Sequence, residues 1–445
     1  MMRWLKSTSL VVLFVCLVVH QSEAQFSSSE AFSNAAKDQV NTASRFAVPP
    51  GHEPGFRLSI AYPTSVAAEF YPWVFIDFRN EPEAYMRAVL AYILEGNTAV
   101  DWDVGKNAVR KWYHAPWMHF GRRGREPVHG LTLERQSKPR ELHELQVGQP
   151  NNWAVGFYNP AGGYTLGQVW SNPAKPATNS VVFPVGTVSA KLLFTDAKIE
   201  QVPYLAGSKE WFAQIHRNRE PVTMRLLQLD FAVRDQSADS TTGWVFGTFM
   251  YHTQEEGSDV WQKLIPVGVH WGNDTERTEN DFSQSKPLTD GWVNPKVMAM
   301  FGTLPRKWLG LWGRVNGPVD NPRSACLACH ARSMDMGESL QQRPFAPLTN
   351  DVGEVRNFFK NRKPTEPFFS GFRSLDYSLQ LSDGIFNFRT WVRNVHQDHV
   401  DNIYATPDAE RQTVITTFSD ANLEESVRKT QDMLDNEYES PFSRE

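Results

Sequence analysis

The sequence predicts an α+β protein with a central, mainly antiparallel β sandwich or barrel, followed by a mainly helical region. Two observations carry this prediction. Between residues 151 and 274, short segments of alternating apolar and polar residues recur between Gly-, Pro- and Asn-containing turns, as in strands joined by tight connections. From residue 275 onward this alternation gives way to helix-like and loop-like segments. The length of 445 residues exceeds the size at which one core usually stops growing, so more than one domain is expected.

An export signal is predicted at residues 1–24. Arg3 lies in a basic start that precedes an apolar run too short to span a bilayer comfortably, and Ser22 and Ala24 supply the small residues that a signal peptidase reads. The mature chain is expected to begin at Gln25. No second long apolar run follows, so we expect no transmembrane segment after signal cleavage.

The next two regions are an exposed N-terminal arm at 25–54 and a mixed α/β region at 55–150. The arm is rich in small and polar residues and contains a Pro-Pro-Gly sequence near its end. In the mixed region, the segment PEAYMRAVLAYILEGN has an apolar helical face that includes Tyr85, Val89 and Ile93. A glycine follows this face, so the segment predicts a helix.

A β-rich domain is predicted at 151–274. The segments WAVGFYN and GGYTLGQVW, joined through a proline and a glycine, predict a hairpin. In LQLDFAVRD, Leu229 and Phe231 share one face of a strand while Gln228 and Asp230 share the other. Further strands are predicted in three segments, SVVFPVGTVSAKLLFT, TGWVFGTFMYHT and KLIPVGVHWGND.

The charge balance narrows the class of partner. The chain has 45 basic and 50 acidic residues, which gives a formal net charge of −5 at pH 7. A slightly acidic chain of this kind lacks the excess of positive charge that phosphate backbones and anionic lipids attract. We therefore expect no nucleic acid as a partner.

The clearest chemical signal is the pentapeptide Cys326-Leu-Ala-Cys329-His330. The chain has three cysteines, and the remaining one, Cys16, falls in the predicted signal peptide. Three interpretations are open: a small Cys-x-x-Cys disulfide, which an exported protein would ordinarily form, a covalent haem site, or a chance match. Only the haem site uses the adjacent histidine, since the thiols add to the porphyrin vinyl groups and the histidine is then placed under the iron.

The pentapeptide resembles the haem-attachment motif of c-type cytochromes, whose members carry electrons or build redox sites in the periplasm. The resemblance covers five of the 445 residues and does not extend to the surrounding fold. It implies one covalently attached haem c, with Cys326 and Cys329 as thioether attachment points and His330 as an axial iron ligand. The helix-like and loop-like segment around the motif, residues 275–445, is expected to be a cytochrome c-like haem domain. With the export signal, the resemblance implies a bacterial periplasmic protein whose partner is a redox protein or a small-molecule substrate.

The second axial ligand is left open by the sequence. Small cytochromes c place a methionine well after the motif, yet the chain has none between Met336 and Met433. His396 and His399 lie in WVRNVHQDHV, a predicted helix that would place them on adjacent parts of one face. The candidates are therefore Met433, His396, His399, an upstream residue or an open iron site.

Arginines crowd the motif and suggest how the negatively charged haem propionates would be held. A guanidinium group suits bidentate contact with a carboxylate, and Arg314 and Arg323 are the main candidates, with Arg332 and Arg343 nearby. Each of them can equally be a solvated surface residue without such a role.

A second group of potential ligands is His114, His119, His129 and Glu134. These residue types can hold a metal ion, but their spacing fits no short metal signature, and a proline interrupts the first two. The group is therefore interpreted as a metal site, as a polar cluster facing the haem or a substrate, or as separate structural histidines.

Three functional classes remain. The first is an exported mono-haem protein of periplasmic electron transfer, with a large N-terminal part that binds a partner or a substrate. The second is a haem-dependent oxidoreductase with an open distal iron site, and the third is a non-haem exported binding protein with a Cys-x-x-Cys disulfide. A simple electron carrier needs only enough protein to enclose the haem edge, so the size of the chain favours an additional binding surface. Other catalytic signatures, such as a glycine-rich phosphate loop or a His-Glu-x-x-His motif, are absent from the sequence.

Overall fold

The computed structural model describes most of the chain between residues 56 and 396. The described ranges are 56, 58–118, 125–126, 128–172, 175–215, 220–302, 305–337 and 344–396. The predicted signal peptide and N-terminal arm, together with His119, Arg343, His399 and Met433, lie outside the described residues.

A large antiparallel sheet forms the centre of the protein. Its strands run in the order β1-β2-β3-β5-β6-β7-β8, with β4 paired to β5. Their bounds are Thr132–Leu133 (β1), Asn152–Tyr158 (β2), Val188–Thr195 (β3), Glu210–Ala213 (β4), Val222–Arg234 (β5), Trp244–Tyr251 (β6), Leu264–His270 (β7) and Gly291–Val293 (β8). The α+β class and the central antiparallel sheet are confirmed. The predicted sandwich or barrel is confirmed only as this large antiparallel sheet, which is not closed into a barrel because β1 and β8 lie at opposite ends of the strand order. A mainly helical region after residue 275 is not shown, since β8 lies there and extends the same sheet.

A second, two-stranded sheet joins Met334–Asp335 (β9) to Arg373–Ser374 (β10). The helices are Pro82–Leu94 (α1), Pro160–Val169 (α2), Glu279–Ser283 (α3), Pro295–Phe301 (α4), Pro305–Trp308 (α5), Cys326–His330 (α6), Val352–Phe358 (α7) and Leu379–His396 (α8). Helix α1 is confirmed, and Tyr85, Val89 and Ile93 are buried on its inner face as predicted. None of the helices in the described ranges is long and apolar enough to cross a membrane.

The predicted hairpin after β2 is wrong, because its second segment is helix α2. Asn159 ends the strand and caps this helix, since its side chain accepts a hydrogen bond from the Gly162 amide at 3.1 Å. Pro160 follows at the first helical position, where a missing amide hydrogen costs nothing. The Asn-Pro pair is therefore a helix start, although its neighbourhood of glycine and aromatic residues resembles a turn between strands.

The strands of the large sheet have two different faces. We call one the core face, because it packs against α1 in the main hydrophobic core through Val188, Ala190, Leu192, Leu229, Phe231, Val233, Val245 and Phe249. We call the opposite one the site face, which carries Lys191, Asp230, Trp244, Phe246, Thr248 and His270. Helix α6 lies over the site face, where the ring centroids of His330 and Phe246 are 4.8 Å apart.

Candidate functional site

Helix α6 gathers the three chemically active residues of the predicted motif on one side of a single turn. Residues three and four apart on a helix are neighbours, so Cys326, Cys329 and His330 share a face. Both cysteines are free thiols, and all three side chains keep part of their surface accessible. Polar groups lie near both sulfurs, with the Asn316 Oδ1 3.9 Å from Cys326 Sγ and the Arg332 Nη2 3.7 Å from Cys329 Sγ.

The His330 imidazole is held in one orientation. Its Nδ1 lies 2.9 Å from the carbonyl oxygen of Tyr377. Because a carbonyl only accepts hydrogen bonds, Nδ1 carries the proton and Nε2 is left with its lone pair. Burial lowers the pKa of His330 to about 4, although the bond to the Tyr377 carbonyl opposes this shift. At neutral pH the ring is therefore uncharged and can bind a metal through Nε2.

The Tyr377 carbonyl is presented by two consecutive residues in an unusual backbone conformation. Asp376 has a φ of 47° and Tyr377 a φ of 63°, in the left-handed region that non-glycine residues rarely adopt. Such a conformation costs on the order of 1–3 kcal/mol per residue and persists only when the surroundings hold it in place. The strained turn at 376–377 therefore requires contacts with the surrounding structure that hold it in this conformation.

Asp376 supplies the main anchor of this turn. Its carboxylate, fully buried, accepts hydrogen bonds from the Phe183 amide at 2.6 Å and from the Trp244 indole at 2.7 Å. Burial raises the pKa of Asp376 to about 6, while these two donors lower it. Separately, the Tyr377 hydroxyl donates a hydrogen bond to the Arg362 carbonyl at 2.7 Å.

A cluster of charged residues lies near Cys326, and we call it the charged cluster. Its members are Glu134, Lys191, Asp230 and Asp320. The Lys191 Nζ is 3.1 Å from Asp230 Oδ2 and 3.8 Å from Asp320 Oδ1. Burial opposes the charge of Lys191, but the three carboxylates raise its pKa well above the usual value, so it stays protonated. Burial raises the pKa of Glu134 and of Asp230, and Lys191 opposes both shifts.

The members of the charged cluster lie deep enough for burial to affect them strongly, yet they keep part of their surface accessible. Burial is the largest influence on the pKa of Lys191 and of Asp230, yet their side chains keep 25% and 17% of their surface accessible, and Asp320 keeps 27%. Burial also raises the pKa of the Cys326 thiol well above its usual range, and Asp320 and Asp230 raise it further. Cys326 thus lies close enough to the charged cluster to be affected by its charges.

His270 is a second buried imidazole beside the site. It lies opposite Phe246 in the strand register, with ring centroids 6.4 Å apart. Its Nδ1 is 3.1 Å from the Gly272 carbonyl, so its Nε2 carries a lone pair, which has no hydrogen-bond partner among the described residues. Burial lowers the pKa of His270 to about 3, and nearby His330 lowers it further.

The two arginines predicted to hold propionates lie in different environments. Arg314 is 1% exposed, and its guanidinium donates to the carbonyls of Asn273, Leu311 and Asp274 at 2.7–2.9 Å. Its donors therefore hold loops together. Arg323 is exposed, and its Nη2 lies 3.2 Å from Asn350 Oδ1, which leaves its other donors open to solvent.

The structure separates the second predicted group of ligands. His114 is buried, and its Nδ1 accepts a hydrogen bond from the Ser59 amide at 3.0 Å. His129 stacks on Trp211 with ring centroids 4.5 Å apart, whereas Glu134 belongs to the charged cluster. Within the described ranges, no three His, Cys, Asp or Glu residues are grouped as a metal site. The separate-histidine interpretation therefore fits His114 and His129, and the site-facing interpretation fits Glu134.

The candidates for the second axial ligand lie at or beyond the end of the described chain. His396 is the last residue of α8, and only its backbone is described. His399 and Met433 lie outside the described residues, so the choice among these three stays a prediction.

Comparison of the chain with protein-family models, with curated proteins and with solved structures finds no significant match. The function is therefore argued from the chain's own residues.

Proposed function

We propose that the protein is a haem c-binding redox protein with a single covalent haem. Cys326 and Cys329 would hold the porphyrin through thioethers, His330 would ligate the iron through Nε2, and 275–445 would be the haem-carrying part of the chain. When bound, the haem would supply one-electron chemistry at its iron. We further propose that the protein is exported to a bacterial periplasm, where a redox protein or a small molecule is its partner.

The observation that carries this proposal is the hydrogen bond between His330 Nδ1 and the Tyr377 carbonyl. Iron-ligating histidines almost always donate their other ring nitrogen to a carbonyl or carboxylate, which fixes the tautomer and raises the basicity of the ligand. His330 has this arrangement, with a neutral ring and both neighbouring thiols free and accessible. The three residues therefore fit the group that the motif implies.

The alternative of a Cys-x-x-Cys disulfide, structural or redox-active, has less support. A cysteine that exchanges disulfides needs a lowered thiol pKa, because the thiolate is the nucleophile. Burial and two carboxylates do the opposite to Cys326, whose pKa is raised well above its usual range. A Cys-x-x-Cys disulfide would also leave unexplained why the next residue, His330, is anchored with its Nε2 free.

A haem enzyme with an open distal site is the second candidate, and the charged cluster favours it. A carrier needs an apolar haem environment and a partner surface, whereas Lys191, Asp230 and Asp320 place charged groups close to Cys326. Such groups can hold a polar substrate and exchange protons with it during a redox reaction. The charged cluster therefore supports proton-coupled redox chemistry as this second candidate function.

The test is to express the full chain together with a c-type haem-attachment system. We expect a red protein with a c-type absorption spectrum, a mass increase of one haem, and haem retained through denaturing electrophoresis. Cys326→Ala and Cys329→Ala each leave one thioether and should reduce haem loading severalfold, while His330→Ala should abolish the native spectrum.

His129→Ala is the matched control, because it removes an imidazole that stacks on Trp211 and does not belong to α6. It should load haem as the wild type does. A colourless wild-type protein of unmodified mass, or normal loading in all three motif variants, would contradict the proposal.

A further inference from the structure

The turn that carries Tyr377 is held in place from the sheet, and this connection assigns a role to a residue outside the motif. The partner of His330 is a backbone carbonyl, so no substitution of the Tyr377 side chain removes it. Its position depends on the backbone at 376–377, where both residues have positive φ values, 47° and 63°. A backbone of this kind relaxes unless other contacts hold it.

Asp376 makes the contacts that hold it. One carboxylate oxygen accepts from the Trp244 indole at 2.7 Å and the other from the Phe183 amide at 2.6 Å. Trp244 lies on the site face of β6, two residues before Phe246, whose ring packs against His330. The same strand therefore supports the imidazole through Phe246 and the carbonyl that orients it through Trp244 and Asp376.

We propose that Asp376 is a positioning residue for the axial ligand: by holding 376–377 in the left-handed conformation, it directs the Tyr377 carbonyl at His330 Nδ1 and so fixes the tautomer and the basicity of the iron-ligating imidazole. This inference rests on the proposed haem function. It adds that the electronic properties of the iron depend on a carboxylate that touches neither the haem-attachment residues nor the imidazole.

Asp376→Asn tests this role with almost no change of shape. The amide replaces one acceptor oxygen with an NH2 group, which then faces a donor, either the Phe183 amide or the Trp244 indole. Trp244→Phe removes one of the two donors and leaves the carboxylate intact. Tyr377→Phe is the control, because it removes the hydroxyl bond to the Arg362 carbonyl from the same turn but keeps the Tyr377 carbonyl.

The first measurement is made on the chain without haem. With 15N-labelled histidine, and His330 assigned by its loss in His330→Gln, the wild type should show a neutral ring protonated at Nδ1. Asp376→Asn should shift His330 toward a mixture of tautomers, Trp244→Phe should do so to a smaller extent, and Tyr377→Phe should not.

The second measurement is the midpoint potential of the loaded protein. A weaker Nδ1 hydrogen bond makes the imidazole a poorer electron donor, so the ferric state loses stabilisation and the potential rises. We expect a rise in Asp376→Asn, a smaller rise in Trp244→Phe and none in Tyr377→Phe. A general loss of stability would not produce this order.

Wild-type tautomer and potential in both Asp376→Asn and Trp244→Phe would overturn the inference, and Trp244→Phe decides alone if Asp376→Asn does not fold. If the wild type takes up no haem, the proposed function fails. The tautomer measurement still decides whether Asp376 positions the imidazole.

Discussion

The core face and the site face belong to the same strands, but they bury different kinds of side chain. On the core face, Leu192, Leu229 and Phe249 align across three strands and are completely buried. On the site face, the neighbouring row is Lys191, Asp230 and Thr248, two of which carry charges beneath the protein surface. Apolar burial stabilises a fold without further conditions, whereas buried charges must be offset by partners.

This difference separates what maintains the fold from what serves the site. Charges retained in the interior are weak evidence for stability, because well-packed apolar residues often stabilise a protein as much or more. The polar row on the site face lies next to Cys326 and His330, where protonatable groups have a chemical use. The core face should therefore lose more stability on substitution than the site face, whose substitutions should also change the chemistry of the site.

The largest effect is expected on the core face. Phe231 is 2% exposed and lies over Gly247, where a Cβ would meet its ring. Phe231→Ala removes this ring from the core and should lower the free energy of unfolding by about 3–5 kcal/mol. Chemical denaturation measures this loss.

Thr248→Ala is the counterpart of Phe231→Ala on the opposite face, one residue from Gly247 on the same strand. It should cost less than half as much, because it removes little apolar volume. Under the proposed haem function, Phe231→Ala should load as much haem per folded molecule as the wild type and give the same absorption spectrum. Equal losses in both variants would remove the distinction between the faces.

The alternation that produces these two faces was visible in the sequence, but the contacts that complete the site were not. The pattern of LQLDFAVRD placed Gln228 and Asp230 together on one face of a strand. The Cys-x-x-Cys-His motif identified the segment that forms α6 as a candidate site. Lys191 is a single lysine in a strand, and only the register of β3 with β5 brings it to Asp230. Tyr377 lies 47 residues beyond His330, and no local pattern indicates a carbonyl that is presented by two left-handed residues.

A smaller effect is expected from the charged cluster. Lys191→Met keeps the length of the side chain but leaves Asp230 and Asp320 without their cation. Breaking a buried ion pair is strongly destabilising, but these groups keep 17–27% of their surface accessible, which reduces the penalty. We expect a loss of about 1–3 kcal/mol in the free energy of unfolding.

The double variant Lys191→Met/Asp230→Asn distinguishes an ion pair from independent contributions. It should recover part of the loss, because the unpaired charge is also removed, so the double-mutant cycle should give a coupling energy of at least about 0.5 kcal/mol. If the losses of the two single variants simply add in the double variant, Lys191 and Asp230 do not stabilise each other. The buried charges of the site face would then lack the attraction between opposite charges that must offset their burial.

The smallest effect concerns His114. This buried titratable group belongs neither to the core-face row nor to the site-face row, and no opposite charge offsets its burial. Burial lowers the pKa of His114 well below its usual value of 6.5, and Arg125 lowers it further. His114 is therefore protonated near pH 6.5 in the unfolded chain, whereas it stays neutral at that pH in the folded protein. Stability should fall as the pH drops below 6.5, by up to about 1.4 kcal/mol per pH unit for this one proton.

His114→Gln removes the titration but also disturbs the bond from the Ser59 amide, so it should be less stable than the wild type at pH 8. The difference between the two proteins should then narrow between pH 6.5 and pH 5, as measured by denaturation at a series of pH values, and it should stay constant above pH 7.5, where neither state is protonated. If the difference in stability between the two proteins is constant over the whole pH range, His114 is protonated in the folded protein as readily as in the unfolded chain. Burying its charged form without an opposite charge nearby would then have no cost at this position.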